Sequence, residues 1–325
     1  MPCKTADFRK VNWFWVKPIG RGGDQSLAVA HMERTIVWIG FGEAASAFAD
    51  GLALRGTRGF DRKTIDPAMR DAKRAHFARL RVRACDSAAA ALTGASTALS
   101  LVVADQAFAA AQAAVDHLSP DAFWFDMNSV APDTKRAAAR AIAATGARYV
   151  DVAVMSPVLP RRHQVPLLVS GEGVEAAVQI LRGIGFTDVT GMAGGVGAAS
   201  SVKMIRSVMV KGIEALSAEC AFAAEAAGVR DAVIASLDAS WPGADWAARF
   251  DYNLDRIMVH GLRRAAEMEE VVKTLDALGT GAAMTRGTVG RQRAIGRLGL
   301  EPPAGLDAKL TALVPFTRIA TRDAA

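Results

Sequence analysis

Hydrophobic residues between positions 35 and 191 fall in short runs that alternate with amphipathic stretches. The first run, at 36–39, leads into a helical pattern through a glycine turn. Further β-branched or apolar runs follow, most of them separated by stretches with helical spacing. These predicted strands lie at 58–61, 81–84, 98–103, 122–127, 148–154 and 167–170. Strands that alternate with helices predict an α/β Rossmann domain on a doubly wound, mainly parallel sheet.

The pattern changes after one more helix–strand unit, which ends near Gly191. From there the apolar positions recur at helical spacing, and an all-α C-terminal domain is expected. Its predicted helices include 212–227, 246–260 and 262–278. The predicted regions are a disordered extension over 1–31, a dinucleotide-binding domain over 32–192 and a helical substrate and dimerisation domain over 193–325. An alternative for the first region is an element that packs Trp13 and Trp15 on the body of the protein.

The turn after the first strand fits the dinucleotide-binding pattern G-x-G-x-x-A. Gly40 permits the tight turn, Gly42 lets the backbone approach a pyrophosphate, and Ala45 keeps the helix close to the strand. The helix N-terminus then offers free N–H groups and a positive partial charge to the phosphates. The predicted cofactor contacts are Gly40, Phe41, Gly42, Glu43, Ala45, Asp61, Arg62, Val103 and Ala104.

The acidic residue at the end of the second strand bears on the choice between NAD and NADP. Asp61 lies about twenty residues after the glycine turn, where a carboxylate can bind the ribose hydroxyls. The same carboxylate would repel a 2′-phosphate, which favours NAD. Arg62 and Lys63 follow at once and could pair with that phosphate, so NADP stays open.

Three further side chains are candidates for substrate chemistry. Ser129 precedes Pro132 at a helix start, where it can cap the helix or hold a substrate carboxylate. Lys203 and Lys211 lie among apolar residues of one predicted helix. Burial would lower the pKa of such a lysine towards the range useful for proton transfer. A lysine that extends to the surface is the alternative, and periodicity alone does not choose between the two.

Composition narrows the range of partners. The net charge of +6 is compatible with a small anionic substrate, and no basic aromatic motif indicates nucleic-acid binding. No apolar run is long enough to predict a membrane span. The three cysteines are scattered and the five histidines lack metal spacing, so we expect a reducing, cytoplasmic location and no metal site.

Taken in order, these motifs resemble the β-hydroxyacid dehydrogenase family over about residues 34–212. The family's Ser/Thr-x-x-Pro loop is matched at Ser129 and Pro132. Its Asp-Ala-Pro-Val-Ser-Gly-Gly loop aligns with residues 151–157, and its Gly-x5-Lys helix is matched at Gly197 and Lys203. The later stretch at 260–269 resembles a phosphogluconate-dehydrogenase-like branch of the family.

The resemblance implies hydride transfer between NAD(P) and a hydroxy acid, with Lys203 as general acid/base and Lys211 in a structural role. It also implies a homodimer formed through the helical domain. The substrate contacts it implies are Ser129, Ser156, Ser207 and His260.

Two departures from the family pattern leave the substrate open. Ser207 stands where the family has an asparagine, and Pro157 lacks an N–H group that could meet a carboxylate. An imine reductase or an oxidative decarboxylase on the same scaffold is therefore an alternative. A non-catalytic dinucleotide-binding sensor is another, because fold does not fix function.

Overall fold

The computed structural model describes residues 34–317, so the predicted extension over 1–31 lies outside the described residues. An eight-stranded sheet occupies the first part of this range. The strands are β1 (Ile36–Ile39), β2 (Arg58–Phe60), β3 (Arg83–Ala84), β4 (Thr97–Ser100), β5 (Phe123–Asp126), β6 (Arg148–Val154), β7 (Leu167–Ser170) and β8 (Val189–Gly191). All the strands predicted from the hydrophobic runs are present, with bounds that differ by a few residues.

The order of the strands is β3-β2-β1-β4-β5-β6-β7-β8, which is that of a doubly wound sheet. Neighbouring strands are parallel except β6 and β7, which are antiparallel. The prediction of a mainly parallel Rossmann sheet is therefore confirmed. The carboxyl ends of β1, β4, β5 and β6 lie at one edge, where ligands of such sheets bind.

Helices cover both faces of the sheet because its central strands are apolar on both sides. In β1, Trp38 packs into one core, and Val37 and Ile39 pack into the core on the opposite face. Both cores are closed by helices that connect the strands. These helices are α1 (Glu43–Leu52), α2 (Arg70–Arg79), α3 (Ala88–Leu92), α4 (Ala107–Ala114), α5 (Pro132–Ala143) and α6 (Val174–Ile184).

Five helices follow the sheet within the described residues, which confirms the all-α C-terminal region. They are α7 (Ala198–Ala226), α8 (Arg230–Ser240), α9 (Trp246–Ala277), α10 (Ala283–Gly296) and α11 (Leu306–Thr317). The division between domains near residue 192 stays a prediction, and it falls between the end of β8 and the start of α7.

The two helices predicted at 246–260 and 262–278 are wrong, because α9 runs through both as one helix of 32 residues. Gly261 lies at a close crossing with α10. A Cβ there would come within 2.8 Å of the Gly296 Cα. The glycine therefore serves helix–helix contact and does not end the helix.

Candidate active site

The dinucleotide turn has the geometry that its glycines predict. Gly40 has a φ of +81°, and a Cβ there would lie 2.6 Å from the carbonyl oxygen of Leu101, so only glycine fits. At Gly42 an added Cβ would meet nothing within 4 Å, which leaves open space at the N-terminus of α1. No side chain caps that terminus. The backbone there therefore fits a pyrophosphate group.

Asp61 is held in place at the end of β2 by both of its carboxylate oxygens. It accepts hydrogen bonds from the backbone N–H groups of Phe41 and Lys63, each at 2.9 Å. Lys73 lies 3.3 Å away and also donates to the carbonyl oxygen of Phe41. Burial raises the pKa of Asp61, but these hydrogen bonds and Lys73 outweigh burial and hold it below its usual value. Asp61 is therefore a fixed anion beside the turn.

The other predicted cofactor contacts lie in the turn before α1, on α1, after β2 and after β4. The Phe41 side chain is buried and stacks on Phe77, so it is not available to a ligand. Glu43 is exposed in the first turn of α1, and Ala45 is buried against the sheet. The segment after β4 contains Val103, which is exposed, and Ala104. The side chain of Arg62 donates to Gln106 at 2.8 Å, in the segment that follows β4.

Lys203 and Ser129 meet across the two parts of the chain. The Lys203 Nζ lies on α7 and donates to the Ser129 Oγ at 2.5 Å. Ser129 does not cap α5, whose N-cap residue is Ala131 and has no side-chain cap. Of the two roles weighed for Ser129, the capping role is therefore wrong, and the role in holding a substrate carboxylate stays a prediction.

The surroundings of Lys203 disfavour its charged, protonated form. Burial is the largest of the effects that together lower the pKa of Lys203 to about 8. The neighbouring cations Lys211, Lys135 and Arg263 act in the same direction as burial, and Glu267 opposes them. An amine with this pKa exchanges its proton readily near neutral pH, as a general acid or base must.

Lys211, the second lysine considered on α7, forms an ion pair with Glu267. It is buried on α7 and forms an ion pair of 2.5 Å with Glu267 of α9. Arg263 reaches the same carboxylate at 2.7 Å. Burial raises the pKa of Glu267, but Lys211, Arg263 and Lys203 overcome that effect and lower it to about 2. Glu267 is thus a permanent anion among three cations.

The N-terminus of α7 is fastened to the sheet by a buried carboxylate. Asp151 on β6 accepts the N–H groups of Gly197 and Ser200, at 3.1 and 3.0 Å, and the hydroxyl of Ser200 at 2.5 Å. A carboxylate at a helix N-terminus is favoured by the helix dipole. Asp151 therefore fixes the position of the helix that carries Lys203.

A buried lysine links this carboxylate to the end of β5. Lys135 donates to the Asp126 Oδ1 at 2.9 Å and lies 3.4 Å from Asp151. Tyr149 and Asn128 complete the bonds to Asp126, at 2.6 and 2.7 Å. Because these groups lie inside the protein, each charge is matched by a partner, as buried charges require.

Residues 35–194 match the profile of the NAD binding domain of 6-phosphogluconate dehydrogenase, and residues 224–295 match DUF1932, a domain of unknown function. A conserved hypothetical protein from Sinorhizobium meliloti 1021 shares 38% identity, with 90% of this chain and 100% of that chain covered and a TM-score of 0.72. The chain belongs to the β-hydroxyacid dehydrogenase family.

More distant structures share the fold. A 3-hydroxyisobutyrate dehydrogenase from Mycobacterium tuberculosis, crystallised with L-serine, has 15% identity, 88% and 99% coverage of the two chains and a TM-score of 0.68. A reductive aminase from Aspergillus terreus, in complex with NADPH and ethyl levulinate, has 17% identity, 86% and 98% coverage and a TM-score of 0.52. None of the curated proteins matches this sequence. The chain thus carries the scaffold of an NAD(P)-dependent hydroxyacid dehydrogenase, with a nicotinamide dinucleotide as its cofactor.

In this member of the β-hydroxyacid dehydrogenase family, the remaining predicted substrate contacts differ in exposure and in hydrogen-bond partner. Ser156 lies after β6, partly exposed, and donates to the Pro157 carbonyl oxygen at 3.4 Å. The Ser207 hydroxyl donates to the carbonyl oxygen of Lys203 at 2.8 Å, so it is turned towards its own helix. His260 is partly buried on α9. Burial lowers its pKa, and neighbouring arginines, including Arg263, lower it further.

Glu270 is a site residue that sequence reasoning missed. This buried side chain on α9 accepts the N–H of Ala131 at 2.8 Å, in the loop that presents Ser129. The two residues are 139 positions apart, so nothing local in the sequence announces the contact. Glu267 was missed for the same reason, since its partner Lys211 is 56 positions away. Asp126 and Lys135 are near in sequence and were missed because the pattern does not show that both are buried.

Two negative findings apply to residues 34–317. No helix there is long and apolar enough to cross a membrane. No group of three or more His, Cys, Asp or Glu side chains there could hold a metal ion.

Proposed function

We propose that the protein transfers a hydride between a nicotinamide dinucleotide and a small hydroxy acid, with Lys203 as the general acid and base. The observation that supports this most directly is the contact between the Lys203 amine and the Ser129 hydroxyl, together with the lowered pKa of that amine. Both groups lie at the carboxyl edge of the sheet, where ligands of this fold bind.

In the oxidation direction the neutral amine of Lys203 takes the proton of the substrate hydroxyl. Ser129 fixes the amine by accepting its hydrogen bond, and it can in turn bind the substrate oxygen. In the reverse direction the ammonium form returns the proton to the carbonyl oxygen. The cofactor, when bound along Gly40, Gly42 and the start of α1, supplies the hydride acceptor or donor.

NAD is the cofactor we propose, because Asp61 is a fixed anion beside the turn. Its oxygens can accept the ribose hydroxyls but would repel a 2′-phosphate. The Arg62 side chain donates to Gln106 and not towards a position for the 2′-phosphate of NADP.

The test is a single-turnover measurement of reduced-nicotinamide absorbance with a panel of hydroxy acids. Lys203→Ala should lower the rate by orders of magnitude, whereas Arg140→Gln should leave it unchanged, because Arg140 is an exposed cation on α5. Equal rates in wild type and Lys203→Ala would remove Lys203 from the mechanism.

A second arm of the same experiment tests imine reduction. The fold is shared with a reductive aminase, and Ser207, which stands where the family has an asparagine, donates its hydroxyl to a carbonyl oxygen of its own helix. The reduced cofactor is therefore mixed with oxo acids in the presence and absence of methylamine. Faster oxidation of the cofactor with the amine would favour imine reduction over hydroxy-acid oxidation. Dinucleotide binding without turnover in either arm would favour a sensor.

We further propose that the protein is a homodimer in solution. The outer face of α7 carries exposed apolar side chains at helical spacing, which a second copy would cover. They are Val202, Ile205, Met209 and Leu216. Light scattering should give twice the mass of the chain, and Met209→Glu should shift the distribution towards the monomer. A wild-type protein that stays monomeric at high concentration would contradict the dimer.

The cytoplasmic location also stays a proposal. It is supported by Cys85 and Cys220, which are both free thiols, as a reducing compartment favours.

A further inference from the structure

Arg206 lies one turn after Lys203 on α7 and faces the loop that follows β6. Its Nη1 atom donates to the carbonyl oxygen of Met155 at 3.3 Å, and its side chain is partly buried. Lys203 and Arg206 are therefore neighbours on the helix surface, as residues three apart are. The helix brings two cations to the substrate edge of the sheet.

The loop after β6 offers few backbone donors to an anion. The N–H of Met155 donates to the carbonyl oxygen of Pro166 at 2.9 Å, and Pro157 has no N–H. The Ser156 hydroxyl is directed at the Pro157 carbonyl oxygen. Within residues 155–157 this leaves the N–H of Ser156 as the one backbone donor, so a substrate carboxylate needs a side chain for its further hydrogen bonds.

Each of the two cations contacts a residue just beyond the end of one strand. β5 and β6 are parallel neighbours, with Asp126 paired to Asp151. The paired residues are about 4.8 Å apart, and β6 runs three residues further, to Val154. Lys203 contacts Ser129 beyond the end of β5, and Arg206 contacts Met155 beyond the end of β6. Because Cβ atoms three residues apart on a helix are about 5–6 Å apart, a short hydroxy acid is long enough to place its hydroxyl at one cation and its carboxylate at the other.

The charge of Arg206 suits a carboxylate. Burial lowers the pKa of Arg206 from a high starting value, and an arginine keeps its charge at neutral pH. A partly buried guanidinium binds a carboxylate through two parallel hydrogen bonds, which fixes the orientation of the ligand as well as its position.

We propose that Arg206 binds the substrate carboxylate and replaces the N–H donor that Pro157 removes from the substrate loop. This inference rests on the proposed function for the identity of the ligand, a small hydroxy carboxylate. It makes Arg206 a specificity-determining residue, which selects the acid over its uncharged derivatives.

The experiment measures binding without turnover. Hydroxy carboxylates of three to six carbons and the amide of each are titrated by calorimetry into the protein saturated with reduced dinucleotide, so that the hydroxy acid cannot be oxidised. The variants are Arg206→Gln, Arg206→Lys and the charge-matched control Arg140→Gln. Circular dichroism and dinucleotide affinity confirm that each variant is folded.

We expect the wild type to bind acids in preference to amides. Arg206→Gln should weaken acid binding by about 10- to 100-fold, the usual range for one charged hydrogen-bonding group, and leave amide binding within about twofold. Arg206→Lys should restore part of the acid affinity, and Arg140→Gln should behave as wild type.

Three results would overturn the inference: a wild type that binds acids no better than amides, unchanged acid affinity in Arg206→Gln, or an equal fall for acids and amides. The last would show that Arg206 only shapes the loop. Acid binding that depends on Arg206, without hydride transfer to or from any panel member, would overturn the proposed function and leave this inference standing.

Discussion

Replacement of Asp151 by asparagine tests how the helix that carries Lys203 is held to the sheet. The carboxylate accepts two backbone N–H groups of the first turn of α7 and the hydroxyl of Ser200, and it lies 3.4 Å from Lys135. Asparagine keeps the shape of the side chain. It removes the charge, however, and turns one acceptor oxygen into an NH₂ group that faces other donors.

The magnitude follows from the burial of the cluster, in which Asp151 and Lys135 are both fully buried. Hydrogen bonds to a charged group are worth about 1.5–3 kcal/mol each, and at least one is lost. Lys135 keeps its carboxylate partner Asp126, so no buried charge is left unpaired. The loss comes instead from the hydrogen bonds, because a buried donor left without an acceptor costs about 1–3 kcal/mol. We therefore expect Asp151→Asn to lower the free energy of unfolding by about 2–4 kcal/mol.

The assay is urea unfolding followed by tryptophan fluorescence, which reports on the buried Trp38 and Trp124 of the sheet, and by circular dichroism. The midpoint should fall at constant slope. The control is Asp121→Asn, which removes an exposed ion pair of 3.0 Å with Arg148 and should cost no more than about 1 kcal/mol. If Asp151→Asn stays within about 1 kcal/mol of wild type, the buried cluster does not hold α7 and the reasoning is wrong.

Two further substitutions test the ends of the cleft. Gly197→Ala places a methyl group 2.5 Å from the Arg136 Nη1 at a φ of +101°. The free energy of unfolding, measured with urea, should therefore fall by at least the left-handed penalty of about 1–2 kcal/mol. An unchanged free energy of unfolding would show that the turn can rearrange. Asp61→Ala removes the anion beside Lys73 and should weaken NADH binding while it strengthens NADPH binding, as measured by fluorescence titration. An unchanged NADH/NADPH ratio would show that Asp61 does not select the cofactor.

The sheet could be predicted from the sequence because its information is local. Each strand is a short apolar run, and the turn at Gly40 and Gly42 carries its own spacing between strand and helix. The error at Gly261 has a physical origin. A glycine between two amphipathic stretches is locally a helix breaker, whereas here the missing side chain lets α9 approach Gly296 of α10.

The site residues could be predicted only where they belong to a motif of neighbouring residues in the sequence. Lys203 was one of two lysines on the helix, and only the resemblance separated it from Lys211. The structure gives the physical difference, since Lys211 is paired with Glu267 whereas Lys203 contacts a hydroxyl. Glu267 is 56 positions from its partner Lys211, and Glu270 is 139 positions from Ala131, so their roles follow from the tertiary fold and not from spacing.

The charges around Lys203 lead to a prediction about substrate binding and pH. Glu267 is outnumbered by Lys203, Lys211 and Arg263, so the cleft carries excess positive charge until an anion enters it. This excess helps to lower the pKa of Lys203 to about 8 in the free protein. A bound carboxylate would neutralise part of the excess, favour the ammonium form and raise that pKa.

In hydroxy-acid oxidation only the neutral amine of Lys203 can accept the proton, so the rate should rise with pH. The profile of kcat/KM reports the free protein and should rise with an apparent pKa near 8, whereas that of kcat reports the complex with substrate and should rise at a higher pH. Steady-state rates between pH 6 and 10 would give both values, each extreme of this range being about two units from the expected pKa. A kcat pKa below that of kcat/KM would mean that the bound substrate does not bring its negative charge near Lys203. A kcat/KM profile without an inflection in this range would remove the lysine from proton transfer altogether.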